Sequence, residues 1–297
     1  VALDERRGIS WSISADTGSG VRSLPRTSSR EVDACAPCHS RRERIADDAA
    51  GSAFTDAFRA AALTTPLYFA DGQMREEVYE YASFLQSRMN AHGVTCSDCH
   101  EPHSQRLRAS GNALCAQCHA PARFDAAEHH HHRASSAGAR CVSCHMPAHT
   151  YMRIDVRHDH SLRIPRPDLS VTLGTPNACT DCHHERAASW AARAIKAWFP
   201  APKPGFQDFA AVFAAADRGE PAAAQVALTA RQDRRDDDRP TDPRLGAGAG
   251  GGDPAGDLVT ERQRERVVGA HPVVVVTEVG VADSATGHRD RDFARTG

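Results

Sequence analysis

The chain has 297 residues, with 36 Lys and Arg against 38 Asp and Glu, a net charge of -2. So even a balance gives no electrostatic footprint for nucleic acid or an anionic membrane. No apolar run approaches the roughly 20 residues of a membrane-spanning helix, and with 6% aromatic residues a protein-only core for the cysteine-rich half would be poor.

The N-terminus, Val1-Ala2-Leu3-Asp4, has neither an initiator Met nor a signal peptide, as expected of a processed chain or a fragment. Alternation in Ile9-Ser10-Trp11-Ser12-Ile13 reads as a half-buried strand and Asp16-Thr17-Gly18 as a turn. Residues 1–34 are therefore expected to be a short hairpin or extended lead-in without chemistry. Residues 40–50 are charged and expected to be helical, and Phe54, Phe58 and Ala62 fit one helix face until Thr65-Pro66 interrupts. The clearest helix is predicted over 73–90. Its stripe is Met74, Val78, Tyr81, Leu85 and Met89, and it ends near His92-Gly93. Residues 96–183 should form short helices separated by loops, with almost no sheet. Segments 185–199, 206–217 and 221–231 read as consecutive amphipathic helices. Residues 232–297 lose that pattern: a mixed-charge run, a Gly/Ala stretch at 246–252 and one candidate strand at 272–279. This tail is expected to be disordered, or to be an out-of-frame translation.

All ten cysteines fall in five C-x-x-C-H motifs: Cys35, Cys38 and His39; Cys96, Cys99 and His100; Cys115, Cys118 and His119; Cys141, Cys144 and His145; Cys179, Cys182 and His183. C-x-x-C-H is the attachment signature of a c-type haem. Its thiols add to the haem vinyl groups and its His binds the iron from the proximal side. Zinc knuckles and disulfides also use paired cysteines, but neither requires His after every second Cys. The expectation is five haems c, with His39, His100, His119, His145 and His183 as proximal ligands.

Twelve other histidines favour bis-His coordination. His103 is the leading distal candidate. Pro102 stiffens its link to His100 and points it toward a neighbouring haem. The run containing His129, His130 and His132 should supply one or two ligands, and Asp159 could orient His160. His92 is either a ligand or a polar helix end. Met74 and Met89 read first as core residues. Some arginines near the motifs, Arg157 and Arg163 among them, could pair with haem propionates.

The segment 96–119, with Glu101-Pro102-His103 after its first motif, resembles the doubled C-x-x-C-H module of multihaem cytochromes c. Gly93-Val94-Thr95 before Cys96, and Met146-Pro147 after His145, are similar to the pentahaem nitrite reductase and hydroxylamine oxidoreductase group. Over about residues 1–230 the chain resembles exported multihaem cytochromes with a C-terminal tetratricopeptide-like region. The shared features include Gly111-Asn112-Ala113 and Gly174-Thr175-Pro176-Asn177-Ala178. The resemblance implies a periplasmic or extracellular protein, further haem motifs upstream and redox partner proteins. The tail does not match it.

The sequence thus predicts a mainly α, haem-packed multihaem cytochrome c with short helices and long loops. Its divisions are a lead-in over 1–34, a pentahaem domain over 35–184, a helical, repeat-like region over 185–231 that could dock a partner, and the tail over 232–297. The expected function is electron relay through five covalently bound haems in a respiratory chain. The alternative is an oxidoreductase acting on a small nitrogen or sulfur oxyanion at an iron with an open axial position. Lys-ligated catalysis of the nitrite-reductase kind finds no C-x-x-C-K here.

Overall fold

The computed structural model describes residues 5–48, 51–104, 106–201 and 205–220. The chain divides into two units, Val1–Arg234 and Arg235–Gly297, and every described residue lies in the first. The predicted helix over 221–231, the tail and its candidate strand lie outside the described residues. Those residues form short helices with little sheet, the sheet being four two-stranded antiparallel pairs. None of their helices is long and apolar enough to cross a membrane.

The first hairpin pairs Trp11–Ile13 with Gly20–Arg22, in the register Trp11↔Arg22 and Ile13↔Gly20. It is stitched to the cysteine motifs. Trp11 Nε1 donates to Asp98 at 3.3 Å, Ala120 N donates to the Gly18 carbonyl at 2.8 Å, and Ser19 bridges to His119. A segment that reads as a lead-in is therefore a brace across the second and third motifs.

The hydrophobic core is a small cluster of Val32, Ala36, Phe54, Ala57, Phe58 and Tyr81. It sits between the helices Arg30–His39 and Glu80–Leu85, with Phe54 stacked on Phe58 at 5.4 Å and tilted against Tyr81 at 4.8 Å. Two predicted helices break up around it. In the 40–50 segment, Arg42–Arg44 is instead a strand paired with Phe58–Ala60. Arg42-Glu43-Arg44 is exposed throughout and has no apolar face to pack a helix. Phe58 follows the one-turn helix Phe54–Ala57 as a strand residue.

The 73–90 helix is confined to Glu80–Leu85 and Arg88–Ala91. Upstream, the backbone donors are taken elsewhere: Arg75 N and Glu76 N donate to the Leu67 carbonyl, and the Val78 carbonyl accepts from Arg41 N. Met74 and Val78 are still buried, so the apolar stripe found its core without a continuous helix. Gly93, at φ 89, ends the second piece where a C-terminal glycine was expected.

A buried ionic cluster ties the middle of the chain together. Arg163 pairs with Asp159 at 3.0 Å and Asp71 at 3.3 Å, and all three side chains are at most 4% exposed. Gln73 Nε2 reaches Asp71 and the Pro176 carbonyl, both at 2.7 Å. Farther on, the helix Pro167–Leu173 packs on Ala188–Trp198 and on Ala210–Asp217. Arg166–Asp208 at 2.8 Å and Thr65–Asp217 at 2.7 Å fasten the last helices to the body.

Candidate functional site

Each cysteine motif lies on a short helical turn. The turns are Arg30–His39, Cys96–Cys99, Asn112–Cys115 with the residues just after it, Cys141–His145 and Ala178–Cys182. A spacing of three residues puts both thiols on one face of such a turn, and the His follows at its end. Local capping fixes the turns: Asp98 Oδ2 accepts from Thr95 N at 2.8 Å, and Asn177 Oδ1 accepts from Thr180 N at 3.1 Å.

Longer hydrogen bonds link one turn to the next. The buried Glu31 carboxylate, on the first motif's helix, accepts from Ser97 N at 2.6 Å and Ser97 Oγ at 2.9 Å in the second motif. Asn112 beside the third motif accepts from Cys141 N at 3.0 Å and donates to the Ala139 carbonyl at 2.9 Å at the fourth.

All ten cysteines are free thiols, and they meet across motifs in chain order. Cys35 and Cys96 are hydrogen-bonded, which lowers the Cys35 thiol to about 7 and raises that of Cys96. Cys115 and Cys141 form a similar pair. Cys99 lies beside Cys118, and Cys144 lies beside Cys179 and Cys182. Burial pushes the Cys99 and Cys179 thiols up to about 11. The first motif thus adjoins the second, the second the third, the third the fourth and the fourth the fifth.

Three motif histidines face a second imidazole. His100 and His160 have ring centroids 6.4 Å apart at 24° between planes, His145 and His129 are 6.0 Å apart at 14°, and His183 and His132 are 6.2 Å apart at 30°. These separations are too wide for ring contact. Two imidazoles bound to one metal ion through nitrogens at about 2 Å each would have centroids roughly 6 Å apart. The other ring nitrogens are occupied in a consistent way. Nδ1 of His145 pairs with the Arg163 carbonyl at 2.8 Å, that of His160 with the His158 carbonyl at 2.8 Å, and that of His132 with the His130 carbonyl at 2.5 Å. His39 Nδ1 pairs with Glu80 Oε2 at 3.2 Å. Each bond leaves Nε2 as the free ligating nitrogen.

Burial pushes His100, His119, His129 and His145 below the usual imidazole range. His39 goes the other way because it hydrogen-bonds Glu80. Burial opposes the Glu80 charge, but the hydrogen bond from His39 and the nearby His160 and Arg157 hold its carboxyl at about 2. Among the described residues, no three or more His, Cys, Asp or Glu converge as a metal-ion site. The donors converge in pairs.

Residues 89–124 match the family model of the doubled CXXCH motif. This segment carries the signature of c-type haem binding. No curated protein and no solved structure matches the chain. The donor set fits a haem: each motif offers two thiols and an imidazole that would hold one, and three of these imidazoles face a second that could share the iron.

Other candidate residues take other positions. His103 is exposed in the turn between the strands His100–Glu101 and Arg106–Leu107. His92 is exposed at the end of the helix Arg88–Ala91. His130 Nδ1 accepts from His132 N at 3.1 Å, bracing its neighbour. His119 meets Phe124 edge-on at 5.5 Å. Among the described residues no second imidazole stacks opposite His119 or His39 at the spacing of the three pairs. Arg163 and Arg157 are engaged with carboxylates of the protein.

Sequence reasoning passed over several residues that build the site. A Cβ at Gly138 would overlap the His132 ring, so that histidine requires glycine beside it. His131, at φ 55, stacks on Trp198 at 3.9 Å and so turns the histidine run toward the fifth motif. Glu31 and Glu80 carried no signal, and Asn112 stood out only within the Gly111-Asn112-Ala113 likeness, because their partners lie far away in sequence.

Proposed function

We propose that the chain is a pentahaem c-type cytochrome that relays electrons as part of an exported respiratory chain. The single observation that carries this is the file of motifs: five C-x-x-C-H turns whose thiols adjoin in chain order, first to fifth. When bound, the haems would supply one-electron Fe(III)/Fe(II) chemistry, and attachment at adjoining turns would bring them near one another. The protein's own part is to attach and orient them. Ten cysteines would form the thioethers, and His39, His100, His119, His145 and His183 would ligate the irons. His160, His129 and His132 would be the second ligands at the second, fourth and fifth motifs. His103 and His92 stay as candidates for the remaining two. The small protein core fits this reading, since each haem adds an apolar face that side chains can cover.

Attachment of c-type haem takes place outside the cytoplasmic membrane, so the protein belongs in the periplasm or at the cell exterior. The helices Ala188–Trp198 and Ala210–Asp217 offer a platform for a redox partner, as the tetratricopeptide-like resemblance implies.

One observation favours the oxidoreductase alternative: His39 and His119 lack a stacked second imidazole among the described residues. The test is electron paramagnetic resonance of the exported protein, with intact mass giving the number of haems. Five haems, all low-spin ferric, support the relay. A high-spin signal that shifts with nitrite, hydroxylamine or sulfite would replace it with a catalytic function, and fewer than five haems would overturn the pentahaem count.

A further inference from the structure

The four motif and partner histidines with a defined Nδ1 bond are not equivalent. His145, His160 and His132 donate to neutral backbone carbonyls. His39 alone among them faces a carboxylate, Glu80. Glu80 is shared: Oε2 contacts His39, while Oε1 receives Arg157 Nη1 at 3.1 Å. Arg157 also holds Glu77 through Nε at 2.9 Å and lies over the Tyr79 ring at 5.2 Å. The backbone enforces this placement. Tyr79, just before the helix Glu80–Leu85, is at φ 62 and ψ -177, a conformation that bulky residues rarely adopt. Strain of this kind persists only where the surroundings over-determine it. Here it turns the first residue of the helix onto His39.

We infer that Glu80 is a positioning residue that makes the haem held by His39 the lowest-potential member of the file, and so its electron-donating end. A carboxylate on Nδ1–H makes the imidazole a stronger donor than a carbonyl does, which stabilises Fe(III) over Fe(II). Its negative charge, only 19% exposed on the side chain, acts in the same sense at short range. Arg157 tempers the effect by sharing that charge. The inference rests on the pentahaem reading and adds a direction to it: electrons run from the first motif toward the fifth.

The test is spectroelectrochemical titration of the five-haem holoprotein, its haem number first fixed by intact mass. A Cys35→Ala/Cys38→Ala variant identifies which component belongs to the first motif. That component is expected to be the lowest. Glu80→Gln should move it upward by more than any other component, with a smaller upward shift at the second motif, whose His100 and His160 also lie near Glu80, and with the low-spin fraction unchanged. Arg157→Gln should move the same component downward, because Glu80 then gives its full charge to His39. The opposite signs separate tuning from general disturbance. If Glu80→Gln fails to mature, Arg157→Gln carries the test alone. The inference is overturned if the first-motif component is not the lowest, if neither variant moves it, or if both move it the same way. A wild-type mass short of five haems would instead overturn the pentahaem reading itself.

Discussion

A pair of histidines spaced to share one metal ion is the smallest unit on which the proposed function rests. His160 stands 6.4 Å from His100 across a gap sized for one metal ion, with Nδ1 tied to the His158 carbonyl. Replacing His160 with Ala should leave the second haem attached, since Cys96 and Cys99 are untouched, but open its axial position. One low-spin ferric signal should become high-spin in electron paramagnetic resonance. His160→Met should keep the iron low-spin and raise its potential, because a thioether stabilises Fe(II) relative to imidazole. An unchanged spectrum in His160→Ala would mean that another residue ligates that iron. Gly138 allows a subtler check. Its missing Cβ is where the His132 ring lies, so Gly138→Ala should displace His132 and produce a high-spin signal at the fifth motif, with haem content preserved. A low-spin spectrum identical to wild type would show that the ring has room to move.

At the scale of elements, the short helices hold their places through buried polar ties as much as through apolar packing. Arg163 joins Asp71 and Asp159 while its carbonyl orients His145. Breaking such a cluster from the cationic side leaves two carboxylates in a buried space. Arg163→Met should therefore cost about 3–5 kcal/mol, read as a fall in the denaturant midpoint. Asp71→Asn should cost far less. Burial raises the Asp71 carboxyl above its ordinary value against the pull of Arg163, so its charge is less favoured in the fold than in the unfolded chain. The sign follows: stability from this group is greatest below the ordinary Asp range and declines as pH rises through its raised value, so Asp71 is no source of acid lability. Equal losses in the two variants would refute this division of roles.

The same elements show what the sequence made legible. The five C-x-x-C-H turns were readable because each gathers two cysteines and a histidine within one contiguous turn. The first hairpin was readable from alternation at 9–13 and a turn at 16–18. The 73–90 helix was misjudged because its apolar stripe marks burial, whereas Tyr79 and the donors of Arg75 and Glu76 set the path of the backbone. Which histidine faces which motif was beyond reach: His100 and His160, or Glu31 and Ser97, meet only after the intervening chain has folded.

At the largest scale, the five motifs of the described residues adjoin in the order in which they occur along the chain. In the third turn Cys118 lies near Cys99 of the second, and Cys115 pairs with Cys141 of the fourth. It is therefore the middle link of a single file rather than one branch of a cluster. In a cluster, removing one member leaves parallel routes; in a file, it divides the molecule in two. Cys115→Ala/Cys118→Ala should yield a four-haem protein that keeps its outer pairs, since Glu31 still braces the second motif and Asn112 still braces the fourth. After pulsed reduction, the wild-type haems should equilibrate in one fast phase. In the variant, electrons that enter at one end should fill two haems quickly and reach the other two in a separate, much slower phase. The spacing between the second and fourth turns is then the controlling distance. A variant that equilibrates as fast as wild type would show that electrons have a path around the third motif, and that the file is not the route.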